Sequence, residues 1–572
     1  MIEIFIASLA NVCMYLVFGH EFNKYCFGKT ILNKQSYSEK SLFGVLLVAF
    51  FGLLLNFIIP LNKEVGTLFV IITFILITKF IYLEKKKNKL FIFLFITSIT
   101  TFFLITLANV NRPDAGLYHL PFTSLINESK IIIGSVNIHF RFGHISILQY
   151  LSAINNNLIF STASITIPAA AIFSVFIYYT INKINFFLKN HKNSLSLIVF
   201  LITIFSLYSF NRYSNYGNDV IVHIYFFTLI IFLLDINSFI KIDKNLFYKI
   251  AYLSIFLFSL KTFMAVIFFI PILIFFYLKI KLELIKNRNF IISIIFILSW
   301  IINNILVSAC AIYPLNFTCL KDLKYYDQDV TLETKSMSEA WAKGWSDQKG
   351  SIITNYEEYN SKFNWFETWT NKHLKKIIEK FLPFLIFTFL IWVFLISKKY
   401  FLKEKIDKKT YENQKNIWII FLISSVFLVL WFLKFPLYRY GQSFILTLYA
   451  IIYTLLIGKF INLNNKSFFK KFYKIVTIII VIIFFGKNIL RITNNYGYVY
   501  NDYPWPKIYT LDQKELNKEQ LFKEIIKNDQ RIYYYSSQVM CMYSRSPCSH
   551  YNLKNLNKDK IFSYHVYWKD KK

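Results

Sequence analysis

The chain has 572 residues, of which 56% are hydrophobic and 20% aromatic, and its mean hydropathy is +0.44. That excludes an ordinary soluble domain, because window after window reaches the roughly 18 near-apolar residues that cross a bilayer. The formal net charge of +32 does not point to nucleic acid: the lysines fall in short tracts between apolar runs, the pattern of cytoplasmic loops facing anionic lipid.

In chain order, length and apolarity predict about fourteen spans, near 2–20, 41–60, 65–83, 90–109, 157–180, 195–210, 220–239, 247–260, 263–278, 290–308, 381–397, 416–433, 443–458 and 475–490. Each must be helical, since lipid cannot satisfy open backbone groups. The first stretch lacks a basic start and a small-residue cleavage pattern, so it reads as a span and not a signal peptide. The pair around Lys261 reads equally well as one broken or re-entrant unit.

Seven loops (21–40, 84–89, 181–194, 240–249, 279–289, 398–415 and 459–474) hold thirty Lys and Arg. The alternate short loops (61–66, 211–219, Lys261 and 434–442) hold five. The lysine-rich set is therefore expected in the cytoplasm, within a multi-pass protein of the bacterial cytoplasmic membrane. The N-terminus, the 110–156 loop, the 309–380 loop and the tail after about 490 are then extracytoplasmic. Cysteine usage agrees with that orientation. Cys13 lies in the first span and Cys26 in a lysine-rich loop, whereas Cys310, Cys319, Cys541 and Cys548 form two close pairs in outer segments. Local disulfides Cys310–Cys319 and Cys541–Cys548 are expected there. Other pairings stay open, and the spacing fits no standard zinc site.

The segment Asn111–Asn157 is a polar island between two apolar runs, and it holds Asp114, His119, Glu128, Arg141 and His144. Its Ile131–Leu151 part reads as an interfacial helical region carrying Arg141 and His144. The 309–380 loop carries Trp341, Trp345, Trp365 and Trp369 among several acids. Within it SMSEAWAKGW reads as a helix start with Trp341 and Trp345 one turn apart. Its indoles either sit at headgroup depth or form an aromatic platform for a sugar or polyprenyl chain. The tail has an amphipathic helical stretch, Lys514–Lys527, and a β-rich stretch around Arg531–Ser537, with no catalytic constellation. The expected fold is an all-α polytopic membrane protein of about fourteen transmembrane helices. Its outer loops carry interfacial helices, and a small α+β C-terminal cap (491–572) follows the membrane domain (1–490).

Charged residues recur at the predicted outer ends: Asp114, then Arg212 and Asp219 in NRYSNYGNDV, Lys261 in SLKTF and Arg439 in FPLYRYG. Any one of them reads as an anchor as readily as a site residue. Their convergence on the charge-poor side points to a site. Glycosyl transfer from a lipid-linked sugar needs a carboxylate to take a proton from the acceptor hydroxyl, and Asp114 or Asp219 can do that. The leaving phosphate needs cations, which Arg439, Lys261, Arg212 or Arg141 can supply, arginine through its bidentate fork. His119 and His144 read either as phosphate binders near Asp114 or as interfacial hydrogen-bonders. No glycine-rich nucleotide loop of either common type is present, which argues against a soluble nucleotide-sugar donor.

Asp114 after an apolar run, followed by Tyr118-His119-Leu120-Pro121 and a long amphipathic loop, resembles the GT-C superfamily of membrane glycosyltransferases over roughly 90–450. The Cys310–Cys319 stretch with Ala-Ile-Tyr-Pro is similar to a poorly characterised bacterial subgroup of it. The resemblance implies a polyprenyl-phosphate-linked sugar as donor, used at the outer face, and a glycan or lipid acceptor. It implies that Asp114 is the acidic catalytic residue of the first outer loop and that Asp219, with Arg212 before it, is the second. It also implies that Arg439-Tyr440 is a phosphate-binding pair; Tyr118, His119, Arg141, His144, Arg212 and Lys261 are the further substrate- or phosphate-binding candidates. Unlike familiar members, this chain places three spans before the one leading to Asp114 and has a single acid there. A divalent metal ion between Asp114 and Asp219 stays open as a cofactor. An O-antigen-type polymerase or ligase using a lipid-linked oligosaccharide is the neighbouring alternative. A membrane transporter is the more distant one, and no internal repeat of the kind transporters carry is visible.

Overall fold

The long apolar runs fold as helices, which close every backbone hydrogen bond within a lipid-facing segment. A computed structural model describes residues 2–108, 114–210, 217–236, 242–277, 281–348, 353–402, 414–460, 466–495, 522–527, 530–536, 540–553 and 555–570. In chain order its helices are α1 (Ile2–Leu32), α2 (Tyr37–Asn56), α3 (Lys63–Leu83), α4 (Lys87–Ile105), α5 (Leu120–Glu128), α6 (Ile147–Ile154), α7 (Ile167–Lys189), α8 (Asn193–Ser209), α9 (Asp219–Leu234), α10 (Lys244–Leu260), α11 (Phe269–Tyr277), α12 (Lys281–Ile285), α13 (Arg288–Ser308), α14 (Gln328–Lys343), α15 (Tyr356–Asn360), α16 (Phe366–Trp369), α17 (Lys375–Leu402), α18 (Gln414–Lys434), α19 (Tyr438–Phe460) and α20 (Lys466–Asn495). Among the described residues ten helical stretches are long and apolar enough to cross a membrane: α1 to α4, α7, α13, α16–α17, α18, α19 and α20. The chain is a multi-pass membrane protein. Helices α8 and α9 and the stretch Thr262–Phe276 are apolar but shorter, and α10 has 17 residues.

Helices α2, α7, α8 and α9 are apolar on all sides and buried, forming the centre of the bundle. Helices α3 and α20 lie at the periphery and keep an apolar face uncovered, with Ile71, Phe74 and Ile75 on one and Ile478, Ile482 and Ile483 on the other exposed. Lipid tails are the solvent that suits such faces. Glycine allows the closest approach. A Cβ on Gly19 of α1 would overlap the Lys40 carbonyl, and one on Gly44 of α2 would overlap the Tyr15 carbonyl. Small residues at a helix crossing let the backbones touch in this way.

Ion pairs lie at the helix ends. Helix α9 carries an acid at each: Asp235 pairs with Lys183 at 2.9 Å, and Asp219 pairs with Lys261, which stands where α10 ends. At the other end of α10, Lys249 is 2.7 Å from Glu39.

Both expected disulfides, Cys310–Cys319 and Cys541–Cys548, are formed, and Cys13 and Cys26 are free and buried. The C-terminal region contains β1 (Phe522–Lys527), β2 (Gln530–Ser536), β3 (Cys548–Ser549), β4 (Leu556–Ile561) and β5 (Tyr564–Lys569). Strand β1 runs antiparallel to β2, β2 is parallel to β3, and β4–β5 is a hairpin. The helical reading of Lys514–Lys527 is therefore corrected over Phe522–Lys527; its earlier residues lie outside the described ones. Pairing from Phe522↔Ser536 to Lys527↔Gln530 satisfies the backbone of this short stretch as a strand, and spacing alone cannot separate the two forms at that length.

Two further expectations change. Ile131–Leu151 is not an interfacial helix. It contains short 3₁₀ turns at Ser135–Asn137 and Phe140–Gly143, then the start of α6, and nearly all of it is buried. The C-terminal hairpin covers it: Ile133 N–H donates to the His565 carbonyl and Tyr567 N–H to the Ile133 carbonyl, each at 2.9 Å. Next to that contact Gly134 adopts φ 70°, a left-handed conformation that favours glycine. SMSEAWAKGW is the end of a helix, not its start. Asp327 caps α14, accepting from Val330 N–H at 3.0 Å, and Gly344 at φ 97° ends it. Trp341 is exposed, whereas Trp365 and Trp369 are buried.

Candidate active site

Four charged residues from four separate segments meet at one end of the bundle. The Asn218 amide donates to the Leu260 carbonyl at 2.6 Å, tying the start of α9 to the end of α10. That contact sets Asp219 beside Lys261. Arg439 lies in the first turn of α19, with Nη1 3.5 Å from Asp114 Oδ2 and Nε 3.7 Å from Asp219 Oδ2. Tyr440 joins both cations. Its hydroxyl accepts from Arg439 Nη2 at 3.1 Å, and its ring centroid is 3.5 Å from Lys261 Nζ, a cation–π contact.

The turn before α19 is held from two sides. Trp369 Nε1 donates to the Pro436 carbonyl at 2.7 Å, and Trp431 Nε1 to the Leu437 carbonyl at 2.8 Å. Gly441 leaves room for the Trp431 ring, which a Cβ would strike. His223, one turn beyond Asp219, lies 2.8 Å through Nε2 from the Arg439 carbonyl and 2.8 Å through Nδ1 from Ser443 Oγ. A carbonyl only accepts, so Nε2 carries the proton, and in the neutral ring Nδ1 accepts from the Ser443 hydroxyl.

Asp114 opens a π-helical turn, Ala115–His119, that leads into α5. Its side chain is 48% exposed, against 22% for Asp219. His119 is buried, with Nδ1 3.4 Å from Gln149 Nε2. Burial pushes the imidazole down to about 4; Asp114 and Asp219 oppose that, and Lys261 and Arg439 add to it. A neutral His119 accepting at Nδ1 presents Nε2–H as a donor. The Tyr118 ring lies 4.3 Å from that of His119. Burial raises the Tyr118 phenol, and Asp114 raises it further.

Residues 1–446 match a family described as Domain of unknown function (DUF8201). The chain belongs to this family. Asp114, Asp219, Lys261 and Arg439 all lie inside the region shared with the DUF8201 family, whereas the C-terminal strands lie beyond it. No curated protein and no solved structure matches the chain.

The other candidates separate. The Arg141 guanidinium lies 4.9 Å from the Phe140 ring centre and forms no ion pair among the described residues. His144 packs edge-on against Tyr313 at 5.2 Å, and burial, then Arg141, pushes it down to about 3. It is a neutral packed ring, not part of the charged cluster. Arg212 lies outside the described residues. Among the described residues no group of three or more His, Cys, Asp or Glu could hold a metal ion. Asp114 and Asp219 instead share the Arg439 guanidinium. Two carboxylates supply only part of the oxygen shell that a hard divalent cation takes, so no step is derived through one.

Sequence reasoning missed His223, Asn218 and Arg491, and it read Trp369 only as one of a group of tryptophans, not as a support of the Arg439 turn. His223 carried a signal, its spacing of four from Asp219 on one helix face. Arg491 carried none: its guanidinium donates to the Thr106 and Phe103 carbonyls at 2.7 and 2.6 Å, capping the end of α4 from α20.

Proposed function

We propose that the chain is a membrane glycosyltransferase that moves a sugar from a polyprenyl-phosphate-linked donor to a glycan or lipid acceptor. The reading places the reaction at the outer face of the bacterial cytoplasmic membrane, in a bundle of about fourteen spans. The observation that carries it is Arg439 set between Asp114 and Asp219, with Lys261 adjoining, at the end of a lipid-facing bundle. Carboxylates beside cations, next to lipid, suit a reaction whose leaving group is an anionic lipid phosphate.

In this reading Asp114 is the base. It is the more exposed carboxylate and pairs through one oxygen with Arg439, which leaves the other to take the acceptor hydroxyl's proton. The acceptor oxygen bonds to C1 of the donor sugar. The C1–O bond to phosphate breaks, and its electron pair leaves with the polyprenyl phosphate. Lys261 and Arg439 stabilise that developing charge. Arg439 Nε is buried and faces Asp219 Oδ2 at 3.7 Å without a hydrogen bond. Asp219 engages Lys261 with one oxygen and faces Arg439 with the other, as a positioning residue. The test is transfer of label from polyprenyl-phosphate sugars to envelope glycans by the protein in lipid nanodiscs. Wild type should transfer, and Asp114→Asn should lose about 100-fold or more with insertion unchanged. Full activity in Asp114→Asn removes Asp114 as the base. Solute uptake by proteoliposomes without covalent transfer would favour a transporter.

A further inference from the structure

Next to Tyr118, the 115–157 loop and the C-terminal segment together build a second constellation. Arg141 stacks on Phe140 and has no ion-pair partner among the described residues. Tyr551, 41% exposed, lies 6.1 Å from Phe140 and 5.3 Å from His139, ring centre to ring centre. His139 is only 3% exposed. Its Nδ1 accepts the Arg141 backbone N–H at 3.0 Å, so the neutral ring carries its proton on Nε2. That buried Nε2–H has no partner. The His550 ring is 4.8 Å away, and its Nδ1 is also unpartnered. Tyr118 links this group to the cluster, standing 6.2 Å from His139 and 4.3 Å from His119.

A metal ion does not fit here. The His139 Nδ1 lone pair is engaged, Nε2 is protonated, and a guanidinium lies close by. An oxygen-rich anion does fit. Arg141 asks for a carboxylate or phosphate through its fork, and the His139 Nε2–H asks for an acceptor. Phe140 is packed by Arg141 and by the stacked His139 ring at 5.2 Å and so orients both, while the exposed Tyr551 ring supplies what a pyranose packs against, flat apolar surface for its C–H face with polar groups at the rim.

We propose that Arg141, His139, Phe140 and Tyr551 form a subsite for an acidic sugar, a pyranose bearing a carboxylate or a phosphate. The C-terminal segment contributes Tyr551 and so takes part in ligand recognition. That the bound sugar is the acceptor rests on the glycosyl-transfer reading; that an acidic sugar binds does not.

The test measures binding, not transfer. The full chain in lipid nanodiscs is titrated with a glucuronic acid-containing disaccharide, its neutral glucose counterpart, glucose 6-phosphate and, separately, polyprenyl phosphate. The acidic sugars should bind about tenfold or more tightly than the neutral one, the scale of one charge-assisted contact. Arg141→Gln should abolish that preference, and Arg141→Lys should restore part of it. Tyr551→Ala should weaken acidic and neutral sugars alike, with each variant's melting temperature compared with wild type to establish folding. Equal binding of acidic and neutral sugars, a preference that survives Arg141→Gln, or binding of polyprenyl phosphate alone overturns the proposal. A preserved acidic preference in a protein that transfers no sugar leaves the subsite standing and removes the transferase reading.

Discussion

Arg439 and Asp114 meet at 3.5 Å although 325 residues separate them in the chain, and the same guanidinium faces Asp219 at 3.7 Å. One planar cation thus spans two carboxylates. A lysine ammonium is a point charge and cannot span both. Arg439→Lys is therefore expected to lower transfer by about 100-fold, the scale of losing one preorganised charge-stabilising group, with the melting temperature little changed. Activity within twofold of wild type would show that the bridge is not needed.

His223 holds the backbone from which Arg439 projects. His223→Phe keeps the ring's bulk but removes both bonds, leaving the Ser443 hydroxyl without its ring acceptor among apolar helices. The expected cost is about 1–3 kcal/mol, read as a lower melting temperature in detergent, with a loss of transfer beside it. Unchanged melting would mean that the α9–α19 contact is held by packing alone.

The charged cluster was legible in the sequence because charges are few in the lysine-poor set of loops between apolar runs. Asp114, Asp219, Lys261 and Arg439 could be picked out by that rarity and by the turns around them. What holds them was not legible. Asn218 to Leu260, Trp369 to Pro436 and Arg491 to Thr106 are bonds between segments far apart in the chain, and no local pattern announces them. The Ile131–Leu151 region was misread for the same reason. Its apolar spacing is amphipathic, but its polar side is covered by the C-terminal segment, with Ser549 Oγ donating to the Ile138 carbonyl at 2.9 Å. The start of α14 was placed too late because Asp327, its cap, stands 14 residues before Trp341, the first of the tryptophans that drew attention.

The four tryptophans of the 309–380 loop should divide by burial. Trp369→Phe removes one indole bond to the Pro436 carbonyl while keeping most of the packing, and about 1 kcal/mol of stability should go with it. Trp341→Ala, on an exposed site, should stay within about 0.5 kcal/mol in detergent. Equal effects would sink the assignment of Trp369 as the buttress of the Arg439 turn.

The Cys541–Cys548 bond closes a loop whose residues grip the segment after Asp114. Met542 N–H donates to the Gly116 carbonyl at 2.8 Å, the Tyr543 hydroxyl to Asn127 Oδ1 at 2.9 Å, and Ser546 N–H to Glu128 Oε2 at 2.9 Å. Cys541→Ser with Cys548→Ser should therefore cost about 2–4 kcal/mol and speed hydrogen exchange over residues 116–128. Faster exchange confined to the C-terminal strands would show that the grip does not depend on the disulfide.

The loop histidines give the protein a directional pH response. Burial lowers His119 to about 4 and His144 to about 3, and holds His139 well below the ordinary range. The unfolded chain protonates these rings near pH 6.5, so between that pH and each folded value it binds more protons than the native protein does. Stability then rises with pH across this window and is lost on acidification, by at most about 1.4 kcal/mol per pH unit for each ring. Melting temperature should hold above pH 7 and fall steadily from pH 6.5 to 4. His144 is the ring to remove, because its Nε2 has no partner and it packs edge-on against Tyr313. His144→Phe should preserve that contact and flatten the slope between pH 6 and 4. An unchanged slope would place the acid sensitivity in other groups.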